Sequence, residues 1–453
     1  MDPLIRSISG LRGIVGTSFN NDVIVSHINA FLSLQESGTI LVARDGRPHG
    51  KDYLDICFDV IIGAGFNVVE CGIIPTPTAQ FLVKQNNYSG GILLTASHNP
   101  TEWNGLKFLD NGGCFVNPEK TQILLDRADE NVVANSESIG KINFQKKSWK
   151  NHVEHTLNLS CVNVEKIKSR NFKIVVDTVN CAGSTIIPFL LNELNCDVIK
   201  INCEGNGFFA RGPEPLPENL KQLSDKVIEE NADFGLATDP DADRLAIVNE
   251  LGEPLGEEFT LALAIDGYFQ NSENTNPVVV NLSTSMLSEY SCKKHNIELI
   301  RAKVGEINVV EEMKLQQSEI GGEGNGGVIL KESHLGRDSV VSTALTLNRF
   351  AFSDDSVSQI RASFPDYDLI KDRVSITGLN PDELLDKIKS EFSEPEIDQR
   401  DGLKLTWQDK WIHIRKSNTE PIMRIYAESE NKNDLTKSLN LIKSMIENSR
   451  KKN

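Results

Sequence analysis

The chain has 453 residues, of which 39% are hydrophobic and 25% are charged, and its formal net charge at pH 7 is −17. This composition is ordinary for a globular protein and excludes a fibrous or disordered chain, while the negative charge excludes wide contact with nucleic acid or an anionic membrane. The length exceeds what one compact core supports and predicts three or four domains.

Short β-rich runs alternate with helix-length amphipathic segments over most of the chain. This alternation predicts largely parallel sheets with helices on their faces. The pattern restarts after a polar, Lys-rich segment near residues 140–155, which indicates a second α/β unit, and a third unit follows it. The clearest β-rich runs are TILVA (39–43), NVVEC (67–71), GGILLT (90–95), FKIVVD (172–177), DVIKIN (197–202), DFGLAT (233–238), PVVVNL (277–282) and IELIRAK (297–303).

The pattern changes after FPDY at 364–367, where a helix over 381–392 precedes paired strands, a loop, another strand and a closing helix over 433–448. We therefore predict three similar α/β domains with mixed, largely parallel sheets and a C-terminal α+β domain. The predicted boundaries are 1–152, 153–255, 256–366 and 367–453.

The location of the protein is also predicted from the sequence. No apolar run approaches the ~20 residues that a membrane helix needs, and residues 1–13 lack the apolar segment of a signal peptide. The eight cysteines include no CxxC pair, which favours buried, reduced thiols over disulfides or a zinc site. We expect a cytoplasmic protein with no membrane or nucleic-acid partner.

The stretch DPDADR places Asp239, Asp241 and Asp243 at alternate positions just after a predicted strand, with Arg244 next. Three carboxylates on one short loop repel one another unless a hard cation lies among them. Oxygen ligands of this charge density suit magnesium. The sequence therefore predicts a Mg²⁺ site in this loop.

The stretch RKSNTEP at 415–421 offers guanidinium, ammonium, hydroxyl and amide donors between two predicted strands. Such donors are what a phosphate clamp needs, and an acidic protein needs a local positive cluster to capture an anionic substrate. The candidate clamp residues are Arg415, Lys416, Ser417, Asn418 and Thr419.

Two further stretches are less specific. GGEGNGG at 321–327 matches no nucleotide-binding motif, but its Glu323 and Asn325 could contact sugar hydroxyls across a close backbone approach. SISGLRG places Arg12 in a predicted turn, and ARDGRP brings Arg44 and Arg47 to the end of a strand. Single basic residues of this kind are most often surface charges.

The stretch TASHNP places Ser97 at the carboxyl end of a predicted strand, where α/β folds form their ligand crevices. A hydrolase elbow would need G-x-S-x-G, and both glycines are absent. With a metal loop and a phosphate clamp elsewhere in the chain, we infer that Ser97 itself carries phosphate, which brings about −1.5 to −2 charge.

Four motifs, in their order along the chain, resemble the α-D-phosphohexomutase family over essentially the whole chain. The first is TASHNP with NGLKF, and the others are DPDADR, GGE and RKSNTEP. This family includes phosphoglucosamine mutase, phosphomannomutase and phosphoglucomutase. The resemblance implies a heart-shaped, four-domain enzyme with a central cleft. It also implies an isomerase that interconverts hexose 6-phosphate and hexose 1-phosphate, with Mg²⁺ as cofactor and hexose 1,6-bisphosphate as intermediate and activator.

The resemblance gives each matched residue a role. Ser97 is similar to the phosphoserine that donates phosphate, Lys107 to a lysine that assists proton transfer, and Arg12 and Arg244 to arginines near the transferring phosphate. The implied metal ligands are Asp239, Asp241, Asp243 and the phosphate on Ser97. The implied substrate-binding residues are Glu323 and Asn325 for the sugar and Arg415, Ser417, Asn418 and Thr419 for the non-transferring phosphate.

The sequence departs from many family members, which have serine where Asn325 stands and histidine where Gly327 stands. VGEIN at 304–308 and RKSNTEP resemble the phosphoglucosamine branch most, so we expect conversion of glucosamine 6-phosphate to glucosamine 1-phosphate by a monomer or homodimer. The alternatives are a phosphomannomutase or phosphoglucomutase of the same mechanism, a sugar-phosphate-binding homologue without turnover, and a phosphatase with a phosphoserine intermediate.

Overall fold

The described strands form four β-sheets that follow one another along the chain. The computed structural model describes residues 3–392, 394–417 and 421–450. Several helices begin at a side chain that accepts a hydrogen bond from the first turn, as Asn20, Asn117, Asp338 and Asn380 do. Such caps satisfy backbone amides that have no partner within the helix.

The first sheet has seven strands, in the order β1-β2-β6-β5-β3-β4-β7. Strands β3, β4, β5 and β7 are parallel, whereas β1, β2 and β6 extend the sheet by antiparallel pairing. The elements are β1 (Ile5–Ser7), β2 (Gly10–Ile14), α1 (Asn21–Leu32), β3 (Thr39–Arg44), α2 (Leu54–Gly63), β4 (Asn67–Ile73), α3 (Thr76–Gln85), β5 (Gly90–Leu94), β6 (Trp103–Leu109), α4 (Pro118–Asp129) and β7 (Ile142–Phe144).

The second sheet follows two helices and has four strands. Its elements are α5 (Trp149–Leu157), α6 (Val164–Lys168), β8 (Lys173–Asp177), α7 (Gly183–Glu193), β9 (Asp197–Ile201), α8 (Lys221–Glu230), β10 (Phe234–Thr238) and β11 (Leu245–Asn249). The order is β11-β10-β8-β9, with only the β10 and β11 pair antiparallel. Strand β10 is buried on both faces, as expected for a central strand covered by helices.

The third sheet has five strands. Its elements are α9 (Glu257–Tyr268), β12 (Val278–Asn281), α10 (Met286–Lys294), β13 (Leu299–Ala302), α11 (Glu306–Leu315), β14 (Ile320–Glu323), β15 (Gly327–Leu330), β16 (His334–Arg337), α12 (Ser339–Ala351) and α13 (Val357–Ala362). The order is β13-β12-β14-β15-β16, in which β12 is parallel to both neighbours and β15 is antiparallel to both.

The fourth sheet has five strands in the order β17-β21-β20-β19-β18, and all neighbouring strands are antiparallel. Its apolar face packs against the two helices, and side chains such as Ile412, Ile425, Leu435 and Ile442 are fully buried there. The elements are β17 (Asp368–Ser375), α14 (Pro381–Glu391), β18 (Glu396–Asp398), β19 (Leu403–Thr406), β20 (Lys410–Lys416), β21 (Ile422–Ser429) and α15 (Lys432–Arg450).

The second and third sheets share one hydrophobic core. A single cluster of buried side chains extends from Val153 to Phe364, and Phe234 of β10 contacts Phe350 of α12 at a ring-centroid distance of 5.1 Å. The first and fourth sheets have cores of their own. The second and third units are therefore one packed body, to which the other two are attached.

The contact between the fourth sheet and the third unit is polar, and we call it the polar seam. Its hydrogen bonds connect Lys371 with Glu257 at 2.6 Å, Ser283 Oγ with His413 Nδ1 at 2.8 Å, the Met286 amide with Glu428 Oε2 at 2.7 Å, Lys404 Nζ with the Leu282 carbonyl at 2.6 Å, and Ser285 Oγ with Glu428 Oε1. The two Glu428 oxygens, which accept from the Met286 amide and the Ser285 hydroxyl, belong to one carboxylate that caps the start of α10. Polar contacts of this kind hold two bodies together without merging their cores.

The structure corrects two details of the sequence analysis. Arg12 was predicted in a turn but lies in β2, where it pairs with Gly105 of β6. The stretch NGLKF, to which no strand was assigned, lies within β6. All eight cysteines are free, and six of them are buried, whereas Cys114 and Cys203 are half-buried. Within the described part of the chain, no helix is both long and apolar enough to cross a membrane.

Candidate active site

The serine loop, residues 95–100, joins β5 to β6 at the carboxyl end of β5. Ser97 is only 2% exposed, and its φ of 50° lies in the left-handed region. Its amide donates to Thr95 Oγ1 at 3.0 Å, and the threonine hydroxyl donates to Asp45 Oδ2 at 2.7 Å. A non-glycine residue in this conformation persists only where its surroundings fix it. The loop thus presents Ser97 in one defined geometry.

Arg47 anchors the serine loop and is fully buried, so the expectation of a surface charge was wrong for this residue. Its guanidinium donates to the carbonyls of Ser97, Asn99 and Pro100 at 2.6, 2.7 and 2.6 Å. Asp45 accepts from Arg47 Nε at 3.0 Å and compensates the buried charge. A planar guanidinium is suited to this task because its donors have a fixed geometry.

The aspartate loop, residues 239–243, joins β10 to β11 and carries three buried carboxylates. Ala242 has a φ of 52°, so this loop also contains a non-glycine residue in the left-handed region. Asp239 Oδ1 accepts from the amides of Asp243 and Arg244 at 3.1 and 3.2 Å. The loop is therefore folded around the first of its own carboxylates.

Lys107 lies in β6 and reaches the aspartate loop. Its Nζ is 2.5 Å from Asp241 Oδ2 and 4.0 Å from Asp243 Oδ2, and Thr76 Oγ1 donates to the same Asp241 oxygen at 3.0 Å. Burial alone would raise the pKa of Asp241, but the charge and hydrogen bond of Lys107 outweigh it and hold this pKa below its usual range. Asp241 is therefore anionic at neutral pH.

Each of the three aspartates keeps one oxygen without a hydrogen-bond partner among the described residues. These buried atoms are Asp239 Oδ2, Asp241 Oδ1 and Asp243 Oδ1. The three side chains bring ligand oxygens within 4.8 Å of one another. Burial and the two neighbouring carboxylates raise the pKa of Asp239 well above its usual value. Buried carboxylate oxygens that lack hydrogen-bond partners and converge in this way suit a hard divalent cation, so these residues fit the predicted Mg²⁺.

Two arginines supply positive charge beside Ser97. Arg12 donates to Asn99 Oδ1 at 3.1 Å, and Arg244 donates to Glu214 Oε1 at 2.9 Å while its NH2 lies 3.5 Å from His98 Nδ1. Burial, together with the charges of Arg244 and Arg12, lowers the pKa of His98 to about 3. The imidazole is therefore neutral, and the guanidinium groups alone carry the positive charge here.

Arg337, at the end of β16, joins three carboxylates and was not predicted from the sequence. It donates to Asp243 Oδ2 at 2.6 Å, Glu306 Oε2 at 2.9 Å and Glu323 Oε2 at 3.1 Å. Burial raises the pKa of Glu306 to about 7, although the charge of Arg337 opposes this. The one sequence signal for Arg337 is a charged residue at the end of a strand that follows the glycine-rich loop.

Glu323 and Asn325 lie at the tip of the β14–β15 hairpin. Glu323 Oε1 accepts from Asn281 Nδ2 at 2.8 Å and from the Gly305 amide at 3.1 Å. Asn325 Nδ2 lies 3.5 Å from the other oxygen of Glu323, which also accepts from Arg337. The glutamate is thus held by two strands and a loop of the third unit.

A cleft of about 340 Å³ lies between these loops and the fourth sheet. One wall contains His98 and Arg244, which touch the serine and aspartate loops. The other walls contain Glu323 and Asn325 of the third unit and Arg415, Arg424, Tyr426 and Lys371 of the fourth sheet. Residues of the third and fourth sheets, the loop that bears Ser97 and the loop that joins β10 to β11 therefore meet at one cavity.

The predicted phosphate clamp begins at a row of arginines. Arg415 of β20 is paired across the sheet with Arg424 of β21, which is paired with Arg373 of β17. Residues directly opposite one another on neighbouring strands project from the same face. Among the described residues, the only carboxylate within 4.0 Å of these three arginines is Asp401, at 3.8 Å from Arg415. This face of the sheet therefore offers positive charge to the cleft.

Only part of the predicted phosphate clamp lies within the described residues. Ser417 directly follows β20, and its amide donates to the Ile422 carbonyl at 2.9 Å. Asn418 and Thr419 lie outside the described residues. The other predicted residues are brought together around the cleft, whereas Arg424, Lys371, Arg337, Glu306, Glu214 and Arg47 join the site without having been predicted as parts of it.

Family comparisons agree with this geometry. Models of the phosphoglucomutase/phosphomannomutase alpha/beta/alpha domains I, II and III match residues 5–133, 150–252 and 257–367. The chain belongs to the phosphoglucomutase/phosphomannomutase family. Enzymes of this family are isomerases that act as intramolecular phosphotransferases, so the predicted family, α/β fold class and enzyme class are confirmed.

Individual members of the phosphoglucomutase/phosphomannomutase family resemble the chain over nearly its full length. A phosphoglucomutase/phosphomannomutase of Thermococcus kodakarensis is 34% identical over 95% of this chain and 96% of its own. A phosphoglucosamine/phosphogalactosamine mutase of Sulfurisphaera tokodaii is 30% identical over 97% of this chain and 98% of its own. A crystal structure of a family protein from Burkholderia thailandensis has a TM-score of 0.86 at 23% identity, covering 99% of this chain and 98% of that one.

Proposed function

We propose that the protein interconverts glucosamine 6-phosphate and glucosamine 1-phosphate through a phosphoserine at Ser97 and a hexose 1,6-bisphosphate intermediate. The observation that carries the proposal is the pairing of two anion-binding regions across one cleft. His98 and Arg244, the immediate neighbours of Ser97 and of the aspartate loop, line the cleft together with Arg415 of the fourth sheet. A bisphosphate needs such a pair of sites, whereas simple hydrolysis needs only one.

The first step is the transfer of the phosphoryl group from Ser97 to the substrate. The bond between Ser97 Oγ and phosphorus breaks while the free hydroxyl of the sugar phosphate bonds to phosphorus. Mg²⁺ held by Asp239, Asp241 and Asp243 would neutralise charge on the transferring group. Arg12 and Arg244 add positive charge on the side of the serine loop, where preorganised donors stabilise the charge of the transition state.

Lys107 is the candidate for proton transfer in this step. Its ammonium lies between Asp241 and Asp243, next to the proposed metal site, and it is 3% exposed. In its neutral form the amine would accept the proton of the attacking sugar hydroxyl and pass it to Ser97 Oγ as that oxygen leaves phosphorus. On the reverse transfer the amine would accept the proton of the Ser97 hydroxyl and pass it to the sugar oxygen that leaves phosphorus. One group can serve both directions because the two half-reactions are chemically symmetrical.

The second half-reaction requires the bisphosphate to turn over within the cleft. The phosphate first held at Arg415 must then face Ser97, and the new phosphate must reach the clamp. Glu323 and Asn325 lie between the two anion-binding regions, where they would contact sugar hydroxyls in both orientations. Because the intermediate can escape during reorientation, we propose hexose 1,6-bisphosphate as an activator that restores the phosphoserine.

The choice of sugar rests on the relatives. Both glucosamine-type mutases and a phosphoglucomutase/phosphomannomutase are similar to the chain at comparable identity. The alternative candidate is therefore a phosphomannomutase or phosphoglucomutase of the same mechanism. A comparison of kcat/KM for glucosamine, N-acetylglucosamine, mannose and glucose phosphates discriminates between them. We further propose a cytoplasmic monomer or homodimer with the four domains bounded as predicted.

Phosphopeptide mass spectrometry of Ser97 tests the mechanism. After incubation with glucose 1,6-bisphosphate and Mg²⁺, we expect phosphate on Ser97 in the wild type and none in Ser97→Ala, which should lack mutase activity. Ser89→Ala is a matched control because Ser89 donates only to the Ser37 carbonyl at the far end of β5. Full activity of Ser97→Ala would refute the phosphoserine mechanism, and stoichiometric release of inorganic phosphate would identify a phosphatase instead.

A further inference from the structure

Arg337 is the only described residue that contacts a predicted metal ligand and the predicted sugar-binding glutamate directly. Its NH2 lies 2.6 Å from Asp243 Oδ2, and its NH1 lies 3.1 Å from Glu323 Oε2. Nε lies 2.9 Å from Glu306, so all three nitrogens of the guanidinium are engaged. The side chain is 11% exposed, which means that this charge interacts mainly with the three carboxylates.

Gly327 provides the space that the Arg337 side chain occupies. A Cβ atom added at Gly327 would lie 2.2 Å from Arg337 Cδ and 2.8 Å from its Cγ. Contacts this short do not occur between real atoms, so any larger residue at 327 must displace the arginine.

We propose that Arg337 is a positioning residue that fixes Glu323 relative to the metal loop, and that Gly327 is the complement that makes room for it. The inference rests on the proposed function, because it assigns Glu323 to sugar binding and Asp243 to metal binding. It adds that the planar guanidinium of Arg337 sets the distance between Glu323, which would bind the sugar, and Asp243, which would bind the metal.

The planar shape of the guanidinium is what the proposal depends on. A lysine at 337 would keep the positive charge but could not donate in three fixed directions. If charge alone mattered, Arg337→Lys would behave as the wild type does. If positioning matters, Arg337→Lys and Arg337→Ala should weaken sugar-phosphate binding to a similar extent, by about tenfold or more, as expected for a lost charge-assisted contact.

Isothermal titration calorimetry with glucosamine 6-phosphate tests this without turnover. We expect the Kd to rise in Arg337→Lys, Arg337→Ala and Gly327→Ala, while Arg170→Lys, at a surface arginine paired with Asp354, leaves it unchanged. In the Arg337→Ala background, Gly327→Ala and Gly327→His should cause no further loss, because the clash partner is gone. A wild-type Kd in Arg337→Lys would overturn the positioning role.

The two proposals fail in distinguishable ways. Wild-type protein that binds glucosamine 6-phosphate without isomerising it would refute the proposed function, while the order of Kd values among the variants would still decide the role of Arg337. Additive losses in Gly327→Ala and Arg337→Ala would overturn the proposed complementarity of the two positions. Circular dichroism melting of each variant separates unfolding from a change confined to the site, and Arg337→Lys provides the test if Arg337→Ala does not fold.

Discussion

Lys107 Nζ lies 2.5 Å from Asp241 Oδ2, while Asp241 Oδ1 has no hydrogen-bond partner among the described residues. One oxygen of the carboxylate is thus neutralised by the protein, and the other remains available to a cation. We predict that Lys107→Met lowers kcat by about 100-fold or more, the usual effect of losing a proton-transfer group. Calorimetric titration should detect Mg²⁺ binding at least as tight as in the wild type, because a competing cation has been removed.

Lys221→Met is the control for Lys107→Met, since the Lys221 side chain is 82% exposed and pairs with Asp225 on the surface of α8. This variant should retain both kcat and Mg²⁺ affinity. Wild-type kcat in Lys107→Met would exclude the lysine from proton transfer and direct attention to another base.

Arg47→Met should damage both the stability and the activity of the protein. The variant leaves Asp45 as a buried carboxylate without its cation, and breaking such a pair typically costs about 3–5 kcal/mol in the free energy of unfolding. The serine loop also loses the donor to three of its carbonyls. Urea unfolding measures the first effect, and the rate of Ser97 phosphorylation by glucose 1,6-bisphosphate measures the second.

The double variant Asp45→Asn/Arg47→Met separates these two effects. Removing both charges should restore part of the stability, because no unpaired charge is left buried. Phosphorylation of Ser97 should remain slow, since the loop carbonyls still lack their donor. Recovery of the wild-type rate in the double variant would limit Arg47 to a stabilising role.

Glu258 should make stability depend on pH between about 4.5 and 7. Burial is the main reason that the pKa of Glu258 rises from 4.5 to about 7 in the folded protein. The folded state therefore holds a proton that the unfolded state has lost in this range, and the contribution to stability falls as pH rises. Relative to Glu258→Gln, the wild type should lose up to about 3 kcal/mol between pH 4.5 and 7.

Glu257→Gln is the matched control for the pH experiment, because Glu257 is the neighbouring residue and also contacts Lys371. Urea unfolding of both variants at pH 5 and pH 8 makes the comparison direct. Equal pH slopes for Glu258→Gln and the wild type would mean that another group carries the dependence.

Closure of the fourth sheet over the cleft is expected when a bisphosphate binds. The fourth unit has its own core and joins the third through the hydrogen bonds of the polar seam, so it can move without disrupting the core of either unit. Enclosure would also protect the intermediate from escape during reorientation. Small-angle scattering should detect a smaller radius of gyration with glucose 1,6-bisphosphate than with glucosamine, and equal radii would contradict closure.

The sequence predicted those parts of the site that a single loop encodes. Ser97 lies in one short stretch and the three aspartates lie in another. Each stretch has more polar residues than a turn needs, so its chemistry could be inferred from the stretch alone. The apolar runs of β3, β8, β10 and β12 likewise identified the parallel strands. These loops and strands can be recognised from local spacing because each loop directly follows its strand in the sequence.

Other parts of the site depend on residues that are distant along the chain. Arg47 contacts carbonyls that are 50 to 53 residues away, and Arg337 contacts Asp243 across 94 residues. No periodicity in the sequence encodes these pairs, because Arg47 reaches the serine loop through the pairing of β3 with β5, and Arg337 reaches Asp243 through the packing of the third unit on the second. Strand β6 was missed for a related reason: its Lys107 reaches the aspartate loop and its Asn104 is a buried polar residue, so the segment lacks the apolar pattern of a buried strand.

The hydrogen bonds of Glu428 offer a way to observe motion of the fourth sheet. Its carboxylate, on β21, accepts from the amide of Met286 and the hydroxyl of Ser285, at the start of a helix in the neighbouring unit. If the sheet swings away, this amide loses its acceptor and is exposed to solvent. Hydrogen exchange at Met286 would then report the opening equilibrium from a single backbone position.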